Sequence, residues 1–332
     1  MASFDLIGVG NPIMDLLAQV PESFLTDYVT GEKGGMVLVD DAEIVRLVAR
    51  LERGLAITPG GSAANATLGA TRLGLRTTYL GKIGGDKTAA DYRANFAAAG
   101  GDASRFKHAT LPNGRCLSLV TPDGQRTMRT HLGAAMTLGP DEISAADFAD
   151  VEHAHIEGYL MFNPVLAEKA VATARAAGCS LSIDLASFEV VNVARDWLLA
   201  QIKQGVQVIF ANEDEIRALF QDTASSYDVL ATKLAAHGGI AAVKMGKDGA
   251  WIAHGAELHR IAPVAVTHVV DTTGAGDAWA AGFLYGHLRG LSLPAAGAIG
   301  SLLGAETVQH LGPTIPEAHW SRLLQQVTLL TK

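Results

Sequence analysis

The stretch Val270-Asp271-Thr272-Thr273-Gly274-Ala275-Gly276-Asp277-Ala278-Trp279 joins an apolar run, Val264 to Val270, to a segment rich in Ala, Phe and Leu. The run predicts a strand, the segment after it a helix, and the small residues between them a turn. Gly274 and Gly276 let a backbone come close to a ligand. The free N–H groups of the first helical turn then face one spot, with the positive end of the helix dipole behind them. Such a turn is an anion site. A carboxylate beside it is unexpected, because Asp277 repels phosphate. The pairing makes sense if Asp277 takes the proton from a hydroxyl that attacks the phosphate while the turn stabilises the charge, and together the two describe phosphoryl transfer.

The rest of the chain bounds that reading. Its 332 residues suffice for one large α/β domain or for such a domain with a small insertion. Apolar residues make up 48 %, charged residues 18 %, and the net charge is −8. No basic stripe or tail is present, which argues against nucleic acid and against anionic membranes as partners. Cys116 and Cys179 are far apart and outside any CxxC, a pattern that fits a reducing, cytoplasmic setting and buried small residues. The opening Met1-Ala2-Ser3-Phe4-Asp5-Leu6-Ile7-Gly8-Val9-Gly10 reads as a first strand and not as a signal peptide. No apolar run approaches the roughly 20 residues that a membrane helix needs.

Working outward, strands are predicted at Phe4–Val9, Met36–Val39 and Thr77–Lys82. Helices are predicted at Asp41 to Arg53, Ala63 to Leu73 and Lys87 to Ala99, with Pro21 to Gly35 irregular. Ser62 suits an N-cap and Gly74 a C′ position. Arg115–Val120 and Arg126–His131 flank Asp123-Gly124, a hairpin signal. From His153 onward strands near 153–157, 180–184, 207–211, 240–244, 250–253 and 264–270 alternate with helices near 164–177, 194–203, 213–220, 226–237, 275–289 and 294–309. This alternation predicts an α/β fold with a mostly parallel central sheet and helices on both faces. The hairpin and the early strand leave that sheet and form a small β lid from segments about 12–40 and 112–133, so that residues 1–332 make one domain.

Several other short stretches allow two readings. GxGxxG, GxxxxGK[ST] and HExxH are absent. Gly60-Gly61-Ser62-Ala63-Ala64-Asn65 is either a tight strand–helix turn or a second ligand turn, with the Gly60 and Gly61 backbone and the Asn65 amide against a polar substrate. Asn11 and Asp15 follow the first strand, at the sheet edge where open α/β folds bind ligands. Asp15 is either a solvated loop residue or a double acceptor for a vicinal diol. Asn212 and Glu215 either complement a helix dipole or hold Mg²⁺ through water. Lys244, Gly246 and Gly249 make a hairpin turn or line a nucleotide. His153 and His155, on alternate positions of a strand, read as structural in the absence of nearby Cys or carboxylate ligands.

Taken in order, the Gly60-to-Asn65 and Asp271-to-Asp277 stretches resemble the ribokinase-like (PfkB) family of sugar and nucleoside kinases over about Phe4 to Pro316. The resemblance implies a three-layer α/β/α core with a β lid, ATP, Mg²⁺ and, in many members, a monovalent cation such as K⁺. It implies Asp277 as base, an anion hole at Gly274, Ala275 and Gly276, and Asn212 with Glu215 near Mg²⁺ and phosphate. Asp271 and Thr273 would serve a cation loop, and Arg126 would reach the moving phosphate from the lid. Gly10 to Asp15, Gly35 to Asp40 and Pro122 to Met128 look like the adenosine kinase branch, in which the Asn and Asp contact ribose. Eukaryotic members of that branch carry two adjacent aromatics where Tyr159-Leu160 stands here, one of them stacking on adenine. Phe162 and Phe24 are candidates to replace that ring. The expected reaction is ATP-dependent phosphorylation of a primary hydroxyl, with adenosine to AMP first and a ribose- or fructose-type sugar as the alternative. A non-catalytic sensor on the same fold is the third reading. The lid edge allows a homodimer as well as a monomer.

Overall fold

The computed structural model describes residues 2–52 and 54–331. Eight strands form the large sheet, in the spatial order Glu257–Ile261, Ala250–His254, Ile240–Lys244, Val208–Ala211, Ser180–Asp184, Val151–Glu157, Phe4–Val9 and Thr77–Leu80. The last six of these are mutually parallel, and the first two are antiparallel additions at one edge. Parallel strands covered on both faces must be apolar on both. In Phe4–Val9, Ile7 and Val9 pack with helices Pro164–Ala176, Phe188–Lys203, Glu213–Phe220 and Tyr227–Ala235. Leu6 points the other way, toward helices Ser62–Arg72, Ala275–Leu288, Leu293–Thr307 and Glu317–Leu330. The result is the expected three-layer α/β/α core.

A second sheet of five strands covers one end of the first. Its order is Met36–Leu38, Arg126–His131, Gly114–Val120, Ile13–Gln19 and Ala56–Pro59. Period-two alternation divides its faces. Leu16, Ala18, Leu117 and Leu119 pack outward beneath helices Glu22–Tyr28 and Asp41–Val48, together with Phe24 and Ile44. The intervening Asp15, Cys116 and Ser118 look inward onto a cavity. The chain enters this sheet at Pro12, where the first strand of the large sheet has just ended.

The sequence reading needs correction at several places. Val264 to Val270 is not a strand: the ladder strand is Glu257–Ile261, and the chain from 262 to 274 is irregular. The cover also includes Ala56–Pro59, outside the segments expected for it. A helix, Glu22–Tyr28, lies in the region read as irregular, and Phe188–Lys203 begins six residues early. The helix from Asp41 stops at Val48, and the expected end at Arg53 lies outside the described residues. The C-terminal helix Glu317–Leu330 was not anticipated. Ser62 is the first helical residue; Gly61 holds the cap position at φ +98°, in the left-handed region that glycine favours. Gly74 does follow its helix at φ +102°.

Candidate active site

Five parallel strands of the large sheet deliver polar residues to one place. Asn11, Glu157, Asp184, Asn212 and Lys244 stand at or just past the carboxyl ends of five neighbouring parallel strands, and all five line one cavity of about 810 Å³. Ligands of open α/β sheets bind at that edge. The covering sheet supplies the opposite wall with Asp15, Cys116 and Arg126.

Helix Ala275–Leu288 starts in this cavity. Gly274 caps it at φ +72°, and a Cβ there would lie 2.3 Å from Pro313. The turn therefore needs glycine for its dihedral and for its space. The Ala275 N–H leans on the Thr272 carbonyl at 3.3 Å. Asp277 lies in the first turn, half-buried and facing the cavity. Ser62 Oγ donates to its Oδ1 at 2.8 Å and Asn65 Nδ2 to its Oδ2 at 2.9 Å. The second glycine-opened helix, Ser62–Arg72, thus clamps the carboxylate of the first. Burial raises the Asp277 pKa, and the two donors and the charge of Arg126 work against that rise.

Asn65 was expected to touch substrate, yet its amide is committed to Asp277. Gly60 does not line the cavity as Gly61 does. Its missing side chain makes room for Asp15, whose carboxyl carbon would lie 2.2 Å from a Cβ at that position. Asp15 is 6 % exposed, with its pKa pushed up to about 7. Desolvation is the main cause; Arg126 opposes it, and Asp277, Asp271 and Glu157 add to it.

At the other end, Asn212 and Glu215 form a reciprocal cap. Asn212 Oδ1 accepts from the Glu215 N–H at 2.9 Å, while Glu215 accepts from the Asn212 N–H at 2.8 Å and from Nδ2 at 2.7 Å. The dipole-complementing role is therefore realised, with both residues also on the cavity wall. Burial and the neighbouring Asp184 push the Glu215 pKa up to about 8, with Lys244 opposing. Lys244 Nζ donates to Asp184 Oδ2 at 2.8 Å and would be 3.2 Å from a Cβ on Gly276, which places its ammonium beside the anion turn. Burial alone would lower the Lys244 pKa; Asp184 and Glu215 more than reverse that. Gly246 and Gly249 line the same wall at φ +48° and +86°, in the loop of an antiparallel strand pair. Asp271 is fully buried behind the turn, where it accepts from Thr273 N–H and Oγ1 and from the Gly312 N–H at 2.9, 2.7 and 2.8 Å. Thr273 itself reaches the cavity.

Sequence reasoning missed Ser62 as a clamp, Asp184 as the partner of Lys244, and Glu157. Glu157 is 2 % exposed and accepts from Asn11 Nδ2 at 2.9 Å and from the Ala63 N–H at 3.1 Å, tying the first strand's exit to the start of helix Ser62–Arg72. A signal existed: each acid ends a buried strand (His155-Ile156-Glu157, Ser182-Ile183-Asp184) at the ligand edge. Of the two proposed stacking rings, Phe162 lines the cavity and stacks at 6.4 Å on Tyr159, whereas Phe24 is buried in the outer core of the cover. His153 and His155 are buried against Ser180 and Ser182.

Known proteins share this fold. The family model described as pfkB family carbohydrate kinase matches residues 35–320. The crystal structure of adenosine kinase from Sinorhizobium meliloti superposes with a TM-score of 0.90 at 31 % identity, covering 98 % of this chain and 99 % of that one. A probable sugar kinase from Rhizobium etli gives 0.88 at 33 %, covering 99 % and 100 %. Adenosine kinase of Saccharomyces cerevisiae is 27 % identical over 337 residues, 94 % of this chain and 96 % of its own. Fold and site together define an ATP-dependent kinase for small hydroxyl compounds of the sugar and nucleoside class. The chain belongs to the pfkB carbohydrate kinase family.

Proposed function

We propose that this kinase phosphorylates the 5′-hydroxyl of a nucleoside, with adenosine as acceptor and AMP as product. The observation that carries the reading is the Asp277 carboxylate, clamped by Ser62 and Asn65 beside the Gly274 turn and facing a cavity whose opposite wall holds Asp15. Asp277 accepts the proton of the acceptor hydroxyl as its oxygen attacks the γ-phosphorus; the bond to the bridging oxygen breaks, and ADP leaves. The N–H groups of Gly274 and Gly276, the Lys244 ammonium and Arg126 face the charge on the moving group, while the Ala275 N–H is already engaged by the Thr272 carbonyl. Phosphoryl transfer is catalysed mainly by such positioning and charge stabilisation. Asp15 and Asn11 orient the ribose hydroxyls, and Phe162, stacked on Tyr159, offers a ring to the base. The cavity, about 810 Å³ with its ATP wall included, falls in the usual range of ligand sites.

The oxygen-rich set around Glu215 and Asp184 suits a hard divalent cation kept partly hydrated, so Mg²⁺ on the triphosphate is assigned there through water. When bound it neutralises phosphate charge. A monovalent cation such as K⁺ is assigned to the loop of Asp271 and Thr273; the Asp271 carboxylate accepts three hydrogen bonds and has capacity for one more partner. Sugar kinase is the second reading, favoured by the Rhizobium etli relative. ADP release measured over a panel of nucleosides and sugars decides between them. Turnover with adenosine at least tenfold more efficient than with any sugar is expected, and a sugar preference would overturn the nucleoside assignment.

A further inference from the structure

Away from the cavity, three metal-ligating side chains meet between the last two helices. Glu306 lies in the final turn of Leu293–Thr307, His310 follows four residues later, and His319 is in the first turn of Glu317–Leu330. One ligand atom from each lies within 4.8 Å of the others. His310 Nε2 stands 3.2 Å from Glu306 Oε1, and His319 Nδ1 faces that same oxygen. The two rings are nearly perpendicular, at 86°, with centroids 4.6 Å apart. Arg322 donates to the other carboxylate oxygen at 2.6 Å.

Two ring nitrogens and a carboxylate oxygen that converge on one point form a donor set able to hold a shared cation. A tetrahedral zinc with ligands at 2.0–2.1 Å places its ligand atoms about 3.3 Å apart, and the His310–Glu306 pair already has that separation. Without an ion each ring nitrogen meets the carboxylate as a hydrogen-bond donor; to hold a cation, each imidazole would turn its lone pair inward and keep its proton on the other ring nitrogen. Arg322 would hold the second carboxylate oxygen, as outer partners of metal-binding carboxylates do. The Glu306 side chain is 4 % exposed and those of His310 and His319 are 19 % and 39 %, so a buried base opens toward solvent, with a path for the ion.

We propose that Glu306, His310 and His319 form a binding site for a borderline divalent transition-metal ion of the Zn²⁺ type, separate from the phosphate cavity. Imidazole and carboxylate together suit that class. The segment between the two histidines backs the anion turn: the Gly312 N–H is bonded to Asp271, and Pro313 packs behind Gly274. An ion holding His310 and His319 fixes both ends of that segment.

The test uses the full chain stripped of metal with a chelator. Titration with Co²⁺, followed by visible d–d absorption, and with Zn²⁺, followed by calorimetry, should each show one equivalent bound. His310→Ala and His319→Ala should weaken binding at least tenfold, and Zn²⁺ should raise the thermal midpoint of the parent chain but not of the variants. Glu306→Gln, which keeps the side chain's shape, should weaken binding in the same way. ADP release without Zn²⁺ confirms that each variant is folded; binding itself is read without reference to activity. Equal affinity in the parent and the histidine variants would overturn the site, as would absence of stoichiometric binding to the parent.

Discussion

Asp277 is held between opposing influences, and the balance makes its role measurable. Burial raises its pKa while Ser62, Asn65 and Arg126 lower it. A base must be ionised, so turnover should fall as pH drops through a value above the usual carboxylate range. Replacing both donors, Ser62→Ala with Asn65→Ala, removes two lowering influences and should move the acid limb of the kcat profile to higher pH; an unmoved limb would detach those residues from the carboxylate's ionisation. Asp277→Asn should lower kcat at least about a hundredfold with little change in ATP affinity, since general-base action contributes roughly 10²–10⁴. Single-turnover kinetics with a direct nucleotide-binding measurement separate the two effects. The motif residues around Gly274 and Gly61 were legible because glycine dihedrals and helix starts are local properties. Asn65 was legible as a site residue but not as the Asp277 clamp, because that contact joins positions 212 residues apart. Glu157 escaped for the same reason: its partners Asn11 and Ala63 lie 146 and 94 residues away.

At the scale of elements, periodicity carried most of the fold and failed where apolar side chains face something other than the core. Val264, Val266 and Val269 have strand composition, yet they line the cavity, with Val264 39 % and Val269 44 % exposed. A sequence window cannot tell an apolar wall awaiting a ligand from a buried strand. Ile13–Gln19 escaped assignment because Asn11-Pro12 reads as a turn, when in fact Pro12 marks the passage from one sheet to the other. Helices Ala275–Leu288 and Leu293–Thr307 are apolar almost all round, and glycines set their contact. A Cβ on Gly282 would lie 2.7 Å from the Ile299 carbonyl oxygen, and one on Gly300 2.9 Å from the Trp279 ring. Gly282→Val should therefore cost about 1–3 kcal/mol through overpacking, read as a lower urea midpoint with an unchanged m-value. Because the first of these helices begins at the anion turn, the same variant should also lower activity.

For the molecule as a whole, the acidic cavity exacts a pH-dependent cost. Asp15 and Glu157 have pKa values pushed up to about 7, mainly by desolvation, and Glu215 to about 8. Each binds its proton more tightly folded than unfolded, so its stabilising effect is complete near pH 4 and is lost as pH rises through 7 to 8. The thermal midpoint of the ligand-free protein should fall between pH 5 and pH 8. Glu157→Gln should flatten that slope, whatever it does to the midpoint itself, and parallel slopes would refute the assignment. The cover sheet and the core should draw together when ATP and acceptor are both present, read as a smaller radius of gyration in solution scattering. The irregular chain from 262 to 274 has a further consequence. It joins the last ladder strand to the anion turn without sheet pairing of its own, so its amides lack the ladder protection enjoyed by Ile240–Lys244. In deuterated solvent its first part, residues 262–269, should label early and the parallel strands late, whereas the Val270 and Thr273 amides are held by Val308 and Asp271. Saturating nucleotide should slow labelling here more than elsewhere, a readout of ligand arrival that needs no turnover.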